Sequence, residues 1–183
     1  WLRPGTGLET SIGQLMADPD GKRAVAAVSV CDALLGAPST RIALIDLKSG
    51  ELEILTQGPR SDSSPKWSPD GRSVAFLSDR EQAHVNRLHI LDLESRSDRT
   101  TAAVNGFVET LQWSPDGKAI LLGVAGYGSD LAGAQGAFSV DLDDASARPA
   151  WAPTIEGAPE AAAWRSTWLY DVAADAARQI SPE

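Results

Sequence analysis

Few residues in this chain have the chemistry to cleave or transfer anything. They are His84 and His89, the single cysteine Cys31, a serine in the run Gly126-Tyr127-Gly128-Ser129-Asp130, and the acidic cluster Asp141-Leu142-Asp143-Asp144. Acyl transfer of the α/β-hydrolase kind needs Gly-x-Ser-x-Gly, a strained elbow that exposes the nucleophile. The run around Ser129 lacks the closing glycine. A general base must reach its nucleophile, and no neighbour in sequence positions His84, in a loop over 80–86, or His89, inside a strand pattern. Cys31 ends the apolar stretch Ala26–Cys31 with no basic neighbour to favour its thiolate, and reads as an inert core thiol. Zinc would need clustered Cys and His, and a calcium loop of the EF-hand kind would need a Gly and a distal Glu that the 141–144 cluster lacks. No catalytic residue, cofactor or metal site is therefore expected. The glycine-rich segment 123–136 matches neither Gly-x-Gly-x-x-Gly nor a P-loop. It reads as a long loop within one structural unit. If it docks another domain or lines an opening, Tyr127 and Asp130 are its candidate contacts.

The bulk properties narrow the partners. The chain has 183 residues, 43% of them hydrophobic, enough for a real core. Its net charge is −9 and its 16 basic residues are scattered, so nucleic acid and anionic membrane surfaces are not expected partners. No apolar run approaches the ~18 residues of a membrane-spanning helix. The first residue is Trp1 and no secretory leader pattern opens the chain, which suggests a mature chain or a piece of a longer one. The cytoplasm is the favoured compartment and the periplasm the alternative.

What must position any site is an internal repeat. Trp67-Ser68-Pro69-Asp70-Gly71-Arg72 returns 46 residues later as Trp113-Ser114-Pro115-Asp116-Gly117-Lys118, and a weaker copy, Ala17-Asp18-Pro19-Asp20-Gly21-Lys22, stands 50 residues earlier. A second motif keeps the same step: Ile42–Leu47 matches Leu88–Leu93, with looser copies at 137–142 and 168–172. In each Pro-Asp-Gly run the proline presets φ, the aspartate caps the turn and the glycine supplies positive φ. Apolar, β-prone residues flank every turn, so each repeat holds four short strands. Four strands per ~40–50 residues is the signature of a β-propeller. The fold is expected to be all-β, with four-stranded antiparallel blades, about four of them, in one domain that is part of a propeller. The blades are placed at about 12–57, 61–104, 107–147 and 160–183. Trp67 and Trp113 are expected between blades, and Asp46, Asp92, Asp141 and Asp171 in turns. The last blade breaks the pattern, because Trp164 precedes Asp171 by only 7 residues where Trp67 precedes Asp92 by 25. A turn and a strand are missing there, so either the blade is irregular or residues have dropped out.

The Trp-Ser-Pro-Asp-Gly-Arg/Lys runs, each followed by an apolar strand and an apolar-Asp-Leu turn, resemble TolB-type propeller repeats. Such repeats also build the N-terminal propeller of the prolyl oligopeptidase family. Residues 128–136 and 164–171 resemble segments of the acylaminoacyl-peptidase-like members. The resemblance covers about 12–142, and loosely 164–182. It implies a non-catalytic propeller that caps a C-terminal α/β-hydrolase domain and limits that domain's serine peptidase site to short peptides. The Ser, Asp and His of such a site belong to the hydrolase domain, so no catalytic residue carries over to this chain. The alternative implied by the same repeats is a TolB-like periplasmic propeller that binds proteins.

Overall fold

The computed structural model describes residues 8–31, 39–58, 60–126, 130–133, 136–139 and 165–181. They form strands joined by turns, with no helix among them. The first sheet holds β1 (Leu8–Ala17), β2 (Arg23–Cys31), β3 (Ser39–Asp46) and β4 (Leu52–Ile54) in that order, all antiparallel. The second repeats the arrangement with β5 (Asp62–Trp67), β6 (Ser73–Ser78), β7 (Arg87–Asp92) and β8 (Asp98–Thr100). The third begins with β9 (Phe107–Trp113) and β10 (Ala119–Ala125). A separate two-stranded hairpin follows, β11 (Asp130–Gly133) with β12 (Gly136–Ser139). The chain then returns to the third sheet as β13 (Arg165–Asp171) and β14 (Ala176–Gln179). Three four-stranded blades of a propeller are thus in view.

This ordering corrects the reading of residues 160–183 as a fourth blade. They complete the third, since β13 pairs with β10 along its whole length, from Ala119 opposite Asp171 to Ala125 opposite Arg165. The backbone N–H of Val172 donates to the Lys118 carbonyl, as Leu47 donates to Lys22 and Leu93 to Arg72. Asp171 is therefore the third member of the series Asp46, Asp92. In all three, one carboxylate oxygen accepts from the amides two and three residues on. No strand is missing. Trp113 and Asp171 stand 58 residues apart instead of 25 because an insertion separates the second and third strands of one blade. The copy expected at 137–142 also moves. Ala137–Ser139 lie in the hairpin, and Asp141, Leu142 and Trp164 fall outside the described residues.

Burial follows from stacking. β6 is sandwiched between neighbouring blades, so Val74, Ala75, Phe76 and Leu77 are all buried and the strand reads as a continuous apolar run. In β10, Ile120, Leu122 and Val124 are buried against the second blade while Leu121 stays 43% exposed, an alternation that holds as far as Val124. One core joins β6 and β7 to Trp113, Ile120, Leu122 and Tyr170, and another joins Val25 and Ile42 to Trp67, Val74, Phe76 and Leu91.

Two repeated contacts set how one blade follows the next. The Trp67 indole Nε1 donates to the Met16 carbonyl at 3.0 Å, and that of Trp113 donates to Lys66 at 3.1 Å. Met16 and Lys66 sit in the innermost strands, one residue before the tryptophan place of each repeat. The turns stack as well. Gly71 and Gly117 have φ of 68° and 69°, and their α-carbons lie over Pro19 and Pro69 of the preceding blade.

These contacts predict an ordered mutational cost. Trp113→Phe keeps most of the buried ring but leaves the Lys66 carbonyl without its donor, and should cost about 1–3 kcal/mol. Trp113→Ala adds a cavity and should cost roughly 3–5 kcal/mol. Urea unfolding midpoints would test this, and a phenylalanine variant as stable as the parent would remove the indole bond from the account.

Candidate functional site

Two polar sites are built from the described residues. The first draws on all four strands of the second blade. Arg80, just after β6, turns back along the sheet with its guanidinium 5.4 Å from the centre of the Phe76 ring. Its Nη2 donates to Asp62 Oδ1 at the start of β5 (2.9 Å), its Nη1 to Asp98 Oδ2 at the start of β8, and its Nε to Ser78 Oγ. Phe76 stacks on His89 of β7, ring centres 5.2 Å apart. His89 is 1% exposed. Its Nδ1 lies 3.1 Å from Asp98 Oδ1, and its Nε2 lies 3.2 Å from Glu81 Oε1. Thr100 Oγ1 donates to Glu81 at 2.8 Å.

Burial pushes the Asp98 carboxyl up, but the His89 hydrogen bond and the Arg80 charge outweigh it and hold the group below the usual carboxylate range. Glu81 is held low in the same way, with burial opposed by the Thr100 hydroxyl and by His89. Arg80 is held above its ordinary value: burial works against its charge, and the two aspartates more than offset that. Both nitrogens of His89 face carboxylates in a buried place. The cluster therefore ties the β6–β7 loop to the inner and outer edges of its blade.

The second site is a cleft of about 540 Å³ between the second and third blades, at the end where the Ser-Pro-Asp-Gly turns lie. Ser73, Ile90 and Trp113 line it, with Asp70, Asp92 and Arg99. Arg99 is held at its edge. Its Nη1 donates to the Tyr170 hydroxyl at 2.9 Å and lies 3.4 Å from Asp175 Oδ1, and its Nη2 donates to the Val172 carbonyl. The Tyr170 hydroxyl in turn donates to Asp175 at 2.6 Å. Burial, together with that bond to Asp175, pushes the Tyr170 hydroxyl up to about 12. Asp70 and Asp92 both lie below the usual carboxylate range. The Ser68 hydroxyl and the Arg72 amide do this for Asp70, and the Ser95 amide and hydroxyl for Asp92. Among the described residues, no group of three or more His, Cys, Asp or Glu is placed to hold a metal ion.

This geometry can be set beside known proteins. No protein-family model matches the chain. It is 35% identical over 107 residues to the uncharacterized peptidase YuxL of Bacillus subtilis, covering 58% of this chain and 16% of that protein. It is 29% identical over 126 residues to dipeptidyl-peptidase 5 of Porphyromonas gingivalis, covering 65% and 18%. The chain thus spans less than a fifth of the length of these relatives. Among solved structures, TolB from Acinetobacter baumannii superposes with a TM-score of 0.60 at 18% identity, covering 93% of this chain and 32% of that one. The acylaminoacyl peptidase of Pyrococcus horikoshii gives 0.58 at 16%, with coverage of 92% and 24%. The β-propeller domain of the Trilobed protease from Pyrococcus furiosus gives 0.56 at 16%, with 94% and 44%. The blades are similar in sequence to a part of these peptidases and in fold to TolB and the two peptidase structures. The structural likenesses, all under 25% identity, carry the propeller fold alone.

Within these blades the residues singled out from sequence fall in two groups. Pro19, Asp20 and Gly21, Pro69, Asp70 and Gly71, and Pro115, Asp116 and Gly117 occupy the three equivalent turns, where Gly21, Gly71 and Gly117 donate to the carbonyls of Asp18, Ser68 and Ser114. Trp67 and Trp113 are 3% and 7% exposed, between blades. The candidate contacts of the glycine-rich segment are not brought into either site. Tyr127 lies outside the described residues, and Asp130 opens β11 opposite Ser139. Gly123 belongs to β10, where it accommodates the Thr110 hydroxyl, and not to a loop. The expectation that nothing positions His89 is also corrected, because Asp98 and Glu81 both do. Sequence reading missed them because Arg80 with Glu81, His89 and Asp98 belong to three different segments, and only sheet pairing brings them together.

The direction of the carboxylate shifts fixes a pH dependence. A carboxyl held below its unfolded value contributes stability above about pH 4, and that contribution is lost as pH falls through the folded value. The folded protein should therefore lose stability as pH drops from about 4 toward 2. Asp98→Asn should be less stable at pH 7 and should show a shallower acid limb, with Glu81 supplying the remaining slope. Urea midpoints measured from pH 6 to 2 would check it, and parallel curves for the two proteins would contradict it.

Proposed function

We propose that this chain is part of the propeller of a prolyl-oligopeptidase-family serine peptidase, a non-catalytic element that restricts which peptides reach a hydrolase domain elsewhere in the protein. The observation that carries the reading is the 35% identity to a peptidase across 107 residues of these blades. Blades clamped edge to edge by tryptophan form a stiff wall, which a size filter needs.

A second reading is favoured by a different match. TolB of Alcanivorax borkumensis is 34% identical over 59 residues, covering 32% of this chain and 13% of that protein. On this reading the propeller is a protein-binding module with no peptidase attached.

The full-length protein separates the two. On the peptidase reading it is labelled by a fluorophosphonate serine probe and cleaves short chromogenic peptides. Loosening the clasp between the second and third blades with Arg99→Ala and Asp175→Ala should then raise kcat/KM for long peptides relative to short ones, with the short-peptide value little changed. A full-length protein with no labelling and no peptidase activity would overturn this reading in favour of the second. An active enzyme whose long-to-short ratio does not move would remove the filter while leaving the peptidase.

A further inference from the structure

The two interfaces between successive blades differ at one place. Between the first and second blades, Arg23 leaves the start of β2 and fills the gap. Its Nε donates to Asp18 Oδ2 at 3.0 Å and its Nη2 to the Gly71 carbonyl at 3.2 Å, and its guanidinium stands 4.9 Å from the centre of the Trp67 ring. A planar guanidinium suits this, because it can lie on an indole face while its edge donates hydrogen bonds.

Backbone bonds fix the matching positions one blade on. Asp18 N–H donates to the Arg23 carbonyl as Ser68 N–H donates to that of Ser73, and both tryptophans donate to the preceding inner strand. Arg23 therefore corresponds to Ser73, Asp18 to Ser68, Gly71 to Gly117 and Trp67 to Trp113. The second interface keeps the indole face and the glycine of the turn, but a serine stands where the arginine would start. The space left is the 540 Å³ cleft, which Ser73, Trp113 and Gly117 all line.

We propose that this cleft binds an arginine side chain presented by a peptide from outside the fold, which takes the place Arg23 occupies one blade earlier. The guanidinium would lie on the Trp113 indole and donate to the Gly117 carbonyl. Asp70, Asp92 and Asp116, all on the cleft wall, supply the negative charge that Asp18 supplies to Arg23. The described turn bonds of all three aspartates use Oδ1, and Oδ2 accepts none of them. Among the described residues that line the cleft the one cation, Arg99, is already engaged by Tyr170, Val172 and Asp175, and Arg72 and Lys118, which act on these aspartates, are not part of its wall. A lysine ammonium would meet the charge but could not lie flat on the ring and donate sideways at once. The site does not depend on whether the protein is a peptidase.

The experiment uses the full-length protein with ¹⁵N-labelled tryptophan, titrated with acetyl-arginine amide. Acetyl-lysine amide and acetyl-citrulline amide serve as controls, the latter keeping the shape without the charge. The Trp113 indole N–H resonance, assigned by its loss in Trp113→Phe, should shift and saturate with a dissociation constant on the order of millimolar. Lysine should bind several-fold more weakly, and citrulline should have no effect. Ser73→Arg should place the chain's own guanidinium in the cleft, abolish the response and leave the folded spectrum intact. Arg23→Ser should open the earlier interface, so that the Trp67 indole also responds. No shift of the Trp113 resonance, an equal response to citrulline, or a response that survives in a folded Ser73→Arg protein would each overturn the proposal.

Discussion

The tryptophan at the end of each inner strand is the contact on which the rest of the structure depends. An inner strand is an edge of its own sheet, so some of its carbonyls have no ladder partner there. The indole of the following blade supplies a donor, Trp67 to Met16 and Trp113 to Lys66, while its ring fills the wedge between sheets. One side chain thus satisfies an edge and buries a large apolar area. It also fixes the offset between blades, because the acceptor always comes one residue before the preceding tryptophan place.

The polar features follow from that offset. Once successive turns are held in register, the glycine of one lies over the proline of the last, and residues 46–50 apart in sequence become comparable in space. Arg23 and Ser73 are such a pair. The cleft beside Trp113 exists because the second repeat has a small residue where the first has a long cation. On the same interface, Arg99 reaches from the outer strand of the second blade to Tyr170 and Asp175 of the third, a clasp that the first interface replaces with Arg96 and Glu53 at 2.9 Å.

The blades do not by themselves select an activity. TolB and peptidases both superpose on them, so a functional assignment rests on what the propeller adjoins and on the side chains at its surfaces. The His89 cluster shows the difference between chemistry and position. Its residue types would suit acid–base work, but the ring is buried and both nitrogens are occupied, so what it supplies is a fixed β6–β7 loop.

Sequence alone determined the all-β class, the four-strand unit, the place of both tryptophans and the three Pro-Asp-Gly turns. These are local matters, set by turn conformations and by apolar alternation within ten or so residues. The assignment of residues 165–179 needed tertiary structure. A strand is added to a sheet by hydrogen bonds that ignore how much chain intervenes, so spacing assigned Asp171 to a new blade while pairing with β10 assigned it to the old one. The charge cluster around His89 and the cleft beside Trp113 were equally out of reach. Each depends on which faces of different strands meet, and a linear pattern records a strand's two faces without saying what is packed against either.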